Sequence, residues 1–302
     1  VSDPDAQRPK RSIDLRLSRV RSDVQDPKRM IDIERKIMRF CSIASGSSGN
    51  CIYMGTDNTH LIIDAGISGK RIKNGLNELG IEPDELSGIL VTHEHTDHIS
   101  GLGVMARRYG IPIYTTEGTR EAILTSSKAG KIPDGLFVDV KEDEHFTIGD
   151  LNIKPVRISH DAAQPVAYRI GNNKSCGAVM TDLGYYDDYI IKQLKGLDFL
   201  LLEANHDIRM LETGSYPYEL KQRILGKKGH LSNENAGRLL SQVLNDNIKE
   251  IYLGHLSQEN NYEDLAYETV RLEVDMSDTP YKAKDFKIRI ASRFEPSKVV
   301  NF

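Results

Sequence analysis

The 302 residues predict an α/β protein built as a four-layer αββα sandwich, two packed sheets with helices on their outer faces. Three observations carry that reading. Short apolar runs bounded by turn residues recur from residue 39 onward, and stretches with helical spacing separate them. Acidic and histidine residues stand at the C-terminal ends of several of these runs. In residues 89–102, finally, an apolar strand gives way to His93, Glu94, His95, Thr96, Asp97 and His98. Helical spacing follows at Ile99, Leu102, Met105 and Ala106.

Composition narrows the class before any element is placed. A chain of 302 residues can bury a sizeable core as one large domain, or as a core domain with a tail. No apolar run approaches the roughly 20 residues that span a bilayer, and the first residues lack a signal-type apolar segment. No membrane association is therefore expected. Cys41, Cys51 and Cys176 show no Cys-x-x-Cys pairing, which fits buried thiols in a reducing, cytoplasmic setting. A net charge of −4 argues against a chain coated in positive charge for nucleic acid, while leaving room for a local basic patch.

Residues 1–36 are rich in charge and poor in apolar surface, and read as a flexible N-terminal extension. Its acidic and basic residues are interspersed, which disfavours a basic nucleic-acid-binding arm. The folded unit, residues 37–302, opens with strands at 39–44 and 51–55 joined by the polar loop Ser45, Gly46, Ser47, Ser48, Gly49 and Asn50. A strand over 61–64 ends in Asp64, just before Gly66 and a helix over 69–79. An ionised carboxylate at that position needs a partner, because burying it unpaired is costly.

After the histidine-rich turn the pattern predicts a helix to about residue 109, a strand at 112–115, and a helix at 117–127 capped by Thr116. Strands follow at 136–140, 144–148, 151–159, 165–170 and 175–180, with Gly149-Asp150 and Gly171-Asn172 as turns. Then come a helix at 188–195, a very apolar strand at 199–203, a helix at 233–244, a strand at 250–254, a helix at about 262–272 and an edge strand at 286–290. No internal repeat stands out, although the two strand-rich halves allow a distant duplication.

Four metal-type side chains crowd the turn 93–98. Successive strand residues face opposite ways, so His93 and His95 leave the backbone on one side, with Asp97 and His98 close behind. A polar loop that merely happens to contain histidine is the bland alternative, and such dense packing of imidazoles argues against it. His160, Asp182 and His255 each end a predicted strand in the same manner. Any one of them alone reads as an ordinary loop residue. Together with His93, His95, Asp97 and His98 they make seven ligands, enough for two metals.

In order and setting these residues resemble the metallo-β-lactamase superfamily, over about residues 39–290. The resemblance implies the αββα fold for a catalytic domain at 37–302 and a dinuclear site of zinc or manganese. It places one metal on His93, His95 and His160 and the other on Asp97, His98 and His255. Asp182 would bridge them, with Asp64 as a neighbouring support. The aspartate bridge points away from antibiotics and toward phosphodiesters or thioesters. The segments 44–50, 203–207 and 229–236 look like the YycJ/WalJ branch, whose members are regarded as 5′-to-3′ DNA exonucleases. His230-Leu231-Ser232 also resembles the His-Ser-Thr segment of tRNase Z, but Leu231 interrupts the match and the RNA-binding arm has no counterpart.

The chemistry so implied is attack on phosphorus by a hydroxide shared between two divalent cations, which lower the pKa of water to about 7 or below. Asp97 or Asp182 would take the nucleophile's proton, and His230 would protonate the departing oxygen. Ser232 and Asn233 are natural N-caps at a helix start that offers N–H groups to a phosphate. Lys221, Arg223, Lys227 and Lys228 precede His230; such a run is usually a solvated face, but beside this centre it would grip a polyanion. Asn205, His206 and Arg209 are further candidate contacts, and His206 reads almost as well as an ordinary loop histidine. Ser45, Ser47, Ser48 and Asn50 would serve equally as phosphate donors or as a simple hairpin loop. His60 and His145 read as structural or surface residues. The expected partner is DNA. The competing reading is a small-molecule hydrolase of the same fold, a glyoxalase II-like thioesterase or a cyclic phosphodiesterase, which would need no channel for a polyanion.

Overall fold

The computed structural model describes residues 37–302; the charged stretch 1–36, expected as an extension, lies outside the described residues. The first half of the fold runs β1 (Arg39–Ala44), β2 (Cys51–Gly55), β3 (His60–Ile63), α1 (Gly69–Glu78) and β4 (Leu86–Leu90). It continues through α2 (Thr96–Ile99), α3 (Leu102–Tyr109), β5 (Ile113–Thr115), α4 (Glu117–Thr125) and β6 (Phe137–Asp139). The second half opens with β7 (Phe146–Ile148), β8 (Leu151–Arg157), β9 (Val166–Gly171), β10 (Cys176–Met180), α5 (Asp188–Leu194) and β11 (Phe199–Glu203). Then follow α6 (Ile208–Thr213), α7 (Tyr218–Leu225), α8 (Asn233–Val243), β12 (Glu250–Gly254), α9 (Glu263–Met276), β13 (Ile288–Ile290) and β14 (Val300–Asn301).

The strands form two seven-stranded sheets, ordered β14-β1-β2-β3-β4-β5-β6 and β13-β12-β11-β10-β9-β8-β7. In the first, β1 to β3 are antiparallel and β3 to β6 parallel. In the second, β7 to β10 are antiparallel and β10 to β13 parallel. Both halves thus run from antiparallel strands into parallel ones, while β14 returns from the C-terminus to pair antiparallel with β1.

Strand periodicity builds the layers. Leu61 and Ile63 of β3, with Phe199 and Leu201 of β11, enter the core between the sheets. Ile62 joins the core under α1 and α3, whereas Leu200 and Leu202 join the one under α5, α8 and α9. Strands apolar on both faces are what parallel sheets covered by helices require. The αββα expectation is met.

Several local expectations change. The helix expected to run unbroken to residue 109 is two, α2 and α3. Between them the Gly101 N–H donates to Ala65 O at 2.8 Å, and a Cβ on Gly101 would lie 2.1 Å from Ile67 O. Thr116 occupies the N-cap position of α4 without capping it; its hydroxyl donates instead to Gln164 O at 2.7 Å. The last helix continues to Met276, and β14 follows the strand expected to be last. Helices α6 and α7 have no counterpart in the sequence reading.

Parallel neighbours bring their C-terminal ends to one rim, and the residues just beyond them adopt a conformation that costs energy. Asp64, Asp182 and His255 have φ of 61°, 60° and 55°. Left-handed backbone at a non-glycine residue costs about 1–3 kcal/mol and clusters where function needs a side chain re-aimed. Local bonds hold it here: the Asp64 N–H donates to Leu90 O and the His255 N–H to Ser45 Oγ.

Candidate metal centre

Four segments from the two sheets meet at this rim. His93 and His95 leave the turn after β4 with ring centroids 4.6 Å apart, and His160, beyond β8, lies 4.8 Å from His93. Their ligand atoms, one from each, fall within 4.8 Å of one another. Asp97, His98 and His255 form a second such group, and Asp182 lies between the two. Its Oδ1 is 3.6 Å from His160 Nε2 and 3.7 Å from His255 Nε2, and its Oδ2 is 3.3 Å from His98 Nε2. Asp182 belongs to both halves of the cluster.

Two buried carboxylates orient these rings. Asp64 Oδ2 lies 2.7 Å from His98 Nδ1, while Thr92 donates to the same carboxylate through its N–H and its hydroxyl, both at 2.8 Å. The ring is thereby turned so that Nε2 faces Asp97 and Asp182. Glu203, at the end of β11, accepts from His230 Nδ1 and from His255 Nδ1, and from the Leu183 N–H at 2.9 Å. Carboxylates behind imidazoles fix ring orientation and tautomer, the usual arrangement behind metal-binding histidines.

Charge at the rim is finely divided. Burial alone would lower the pKa of His98, but Asp182, Asp97 and Asp64 hold it well above the ordinary value. His255, also opposed by burial, is pushed up to about 10 by Asp182, Asp97 and Glu203. His93 goes the other way, well below the ordinary value, through burial and the neighbouring imidazoles His98, His160 and His95. Glu203 and Asp182 stay below the usual carboxylate range despite burial, held there by the histidines around them.

His93 Nε2 and Asp182 Oδ2 are buried without a hydrogen-bond partner. Buried polar atoms left unpaired are costly, and here both point into a cluster of nitrogen and oxygen donors. A divalent cation would satisfy them, and imidazole with carboxylate suits such an ion. A model described as the β-lactamase superfamily domain matches residues 59–255, which contain the whole cluster. The chain belongs to the β-lactamase superfamily.

Within the superfamily, the chain is 41% identical over 250 residues to the exodeoxyribonuclease WalJ of Streptococcus pneumoniae, spanning 83% of this chain and 93% of that protein. It is 43% identical over 234 residues to the exodeoxyribonuclease YycJ of Bacillus anthracis, spanning 76% and 86% of the two chains. Among solved structures, the metallo-β-lactamase fold protein YhfI of Bacillus subtilis superposes with a TM-score of 0.63 at 17% identity, over 88% of this chain and all of that one. No helix among the described residues is long and apolar enough to cross a membrane.

The other predicted site residues divide into those that face the superfamily centre and those that brace it. Ser232 caps α8 by accepting from the Asn235 N–H, and the Asn233 N–H donates to His206 O. The Asn233 side chain is paired with Asn261, and both Ser232 and Asn233 are buried. Their side chains and the Asn233 N–H are thus engaged within the protein rather than turned outward. Asn205 donates to His255 O at 2.8 Å and so braces the strained turn. Asn50 and Ser45 are similarly committed, Asn50 donating through its N–H to Asp97 O at 2.8 Å and Ser45 accepting from the His255 N–H. Lys221 donates to Glu212 O and Gly214 O, closing the end of α6 rather than facing outward. His206 is buried, with Nδ1 3.3 Å from Asn205 Oδ1, and Arg209 lies on α6.

Two residues escaped the sequence reading. Glu203 stood in the sequence as the polar end of an apolar strand, the signal that marked Asp182, and as the first residue of the 203–207 segment, but no role was assigned to it. Asp161, next to His160, has Oδ1 at 3.5 Å from His160 Nε2 and 4.0 Å from His95 Nε2, and its other oxygen pairs with Arg223 of α7. That ion pair sits beside the half-open side of the cluster, where His95 and Asp97 keep 24% of their side-chain surface exposed.

Proposed function

We propose that this chain is a metal-dependent DNA exonuclease, working 5′ to 3′ with two divalent ions, zinc or manganese. The observation that carries the reading is the 41% identity to WalJ across 93% of that protein. His93, His95 and His160 would hold one ion, Asp97, His98 and His255 the other, and Asp182 would serve both. Bound there, the ions supply Lewis acidity toward a phosphodiester and a water of pKa near 7.

The chain's own residues do the rest. Asp64 and Glu203 keep the imidazoles of His98 and His255 turned toward the centre. Asp97, partly exposed beside His98 and His255, would take the nucleophile's proton. His230 is the proton donor to the departing oxygen: Glu203 fixes Nδ1, and 19% of the side chain reaches the open side. Against burial, Glu203 and Asp182 raise its pKa, which favours the protonated ring that a proton donor needs. Lys228, with Arg223 beyond its ion pair to Asp161, would meet backbone phosphates. The three free cysteines fit a reducing, cytoplasmic setting.

The test is digestion of 5′-labelled and 3′-labelled single- and double-stranded DNA and RNA, with Mn²⁺ and Zn²⁺ compared. Stepwise loss of nucleotides from 5′ ends of DNA is the expected result. Turnover of a thioester or a cyclic nucleotide, with all polynucleotides left intact, would replace this reading by the small-molecule hydrolase.

A further inference from the structure

Beside His160 opens a cleft of about 450 Å³, within the range of about 300–1,000 Å³ that single-ligand sites occupy. Besides Glu142 and the start of α5, its walls come from three segments that also deliver residues of the metal centre. One carries Arg157, Ser159 and His160, a second follows Asp182 and carries Tyr185, and the third carries Lys228 just before His230. The loops are bonded to one another: the Gly184 N–H donates to Ser159 O at 2.9 Å, and Ser159 Oγ donates to Lys227 O at 2.8 Å. His160 Nδ1 lies 3.1 Å from Gly229 O. A Cβ on Gly184 would come within 2.4 Å of Gly229 N, so the second and third loops touch backbone to backbone. The cleft therefore holds a fixed position relative to His160, Asp182 and His230.

Of the tyrosines at this cleft, Tyr185 is the one that packs against no core cluster. Tyr186 and Tyr189 pack against the core under the helices, and the Tyr189 hydroxyl donates to Asp143 at 2.6 Å. Tyr185 turns outward with 47% of its surface exposed, and Lys227 Nζ stands 5.0 Å from its ring centroid. Arg157 and Lys228 add positive charge to the lining, while Glu142 and Asp187 offset it. Asp187 is already committed to capping α5 through the N–H groups of Tyr189 and Ile190. Near-balanced charge around an open aromatic face suits one base and its phosphate better than a length of polyanion.

Resting on the nuclease reading, we propose that this cleft is a nucleotide subsite: the terminal base of a single strand stacks on Tyr185, and its phosphate meets Lys228. Stacking on an aromatic side chain is tolerant of base identity, as digestion of arbitrary sequence requires. Such a subsite would set the strand end at a fixed distance from the metal centre.

The test measures binding of fluorescein-labelled single-stranded DNA with nuclease-resistant phosphorothioate linkages to the metal-loaded protein. Oligonucleotides with an abasic residue at either end are compared with the intact strand. For the unmodified protein and Tyr185→Phe, an abasic residue at one of the two ends should weaken binding about tenfold. Tyr185→Ala should bind the intact strand as weakly as the unmodified protein binds that abasic strand, with no further loss on the abasic one. Equal abasic effects in the unmodified protein and Tyr185→Ala would overturn the subsite. If these strands bind without any abasic effect while unmodified DNA is digested, the subsite alone falls. If none of them binds and unmodified DNA is left intact, the nuclease reading falls with it.

Discussion

His230 and His255 share one acceptor: Glu203 Oε1 lies 2.8 Å from Nδ1 of each ring. One fully buried carboxylate thus sets the orientation of a candidate metal ligand and of the candidate proton donor together. Removing its charge should disturb both at once. Glu203→Gln keeps the volume but cannot hold two protonated rings, and metal affinity should fall about 10–100-fold. Competition with a chromophoric chelator measures this; unchanged affinity would mean that the centre does not depend on Glu203.

Asp182 and His230 should separate metal binding from proton transfer. Asp182→Ala removes the carboxylate common to both ligand groups, so hydrolysis should be abolished and metal content should drop. His230→Ala should slow phosphodiester cleavage about 10²–10⁴-fold with metal content unchanged. Elemental analysis alongside initial rates distinguishes the two, and loss of metal from the His230 variant would recast that residue as a ligand.

His206 predicts a pH dependence. Burial, only partly offset by the charge of Glu203, lowers its pKa to about 4. The unfolded chain, with an ordinary imidazole near 6.5, therefore binds more protons than the folded one between about pH 6.5 and 4. Stability contributed by the neutral ring is full above that window and is lost as pH falls through it. From pH 7 to pH 5 this group alone should cost about 2 kcal/mol. Urea unfolding of His206→Gln at the two pH values should show a loss smaller by that amount. An equal loss in both proteins would contradict the assignment.

Gly66 is required by a close approach. A Cβ there would lie 1.6 Å from Asp97 O, and the Gly66 N–H donates to Asn50 O at 2.8 Å. Gly66→Ala must displace the turn that carries Asp97 and His98. It should destabilise the fold by about 3 kcal/mol, as overpacking against backbone does, and weaken metal binding with it. Thermal unfolding and chelator competition report the two effects separately.

Much of this protein was legible before any tertiary contact was known. Apolar runs such as Phe199–Glu203 announce strands buried on both faces, and the spacing of His93, His95, Asp97 and His98 announces a metal-type cluster. Both are short-range properties, fixed by side-chain periodicity and by residue type in one turn. Tertiary structure decided which distant polar residues reach that turn and which spend their groups elsewhere. Ser232 and Asn233 look like free helix-start donors in sequence but are buried and bonded from within. Glu203 looks like a charged strand end but lies beneath two histidines 27 and 52 residues away along the chain. Hydrogen-bond satisfaction belongs to the packed interior, where each donor has one place to go, and local pattern carries no record of that choice.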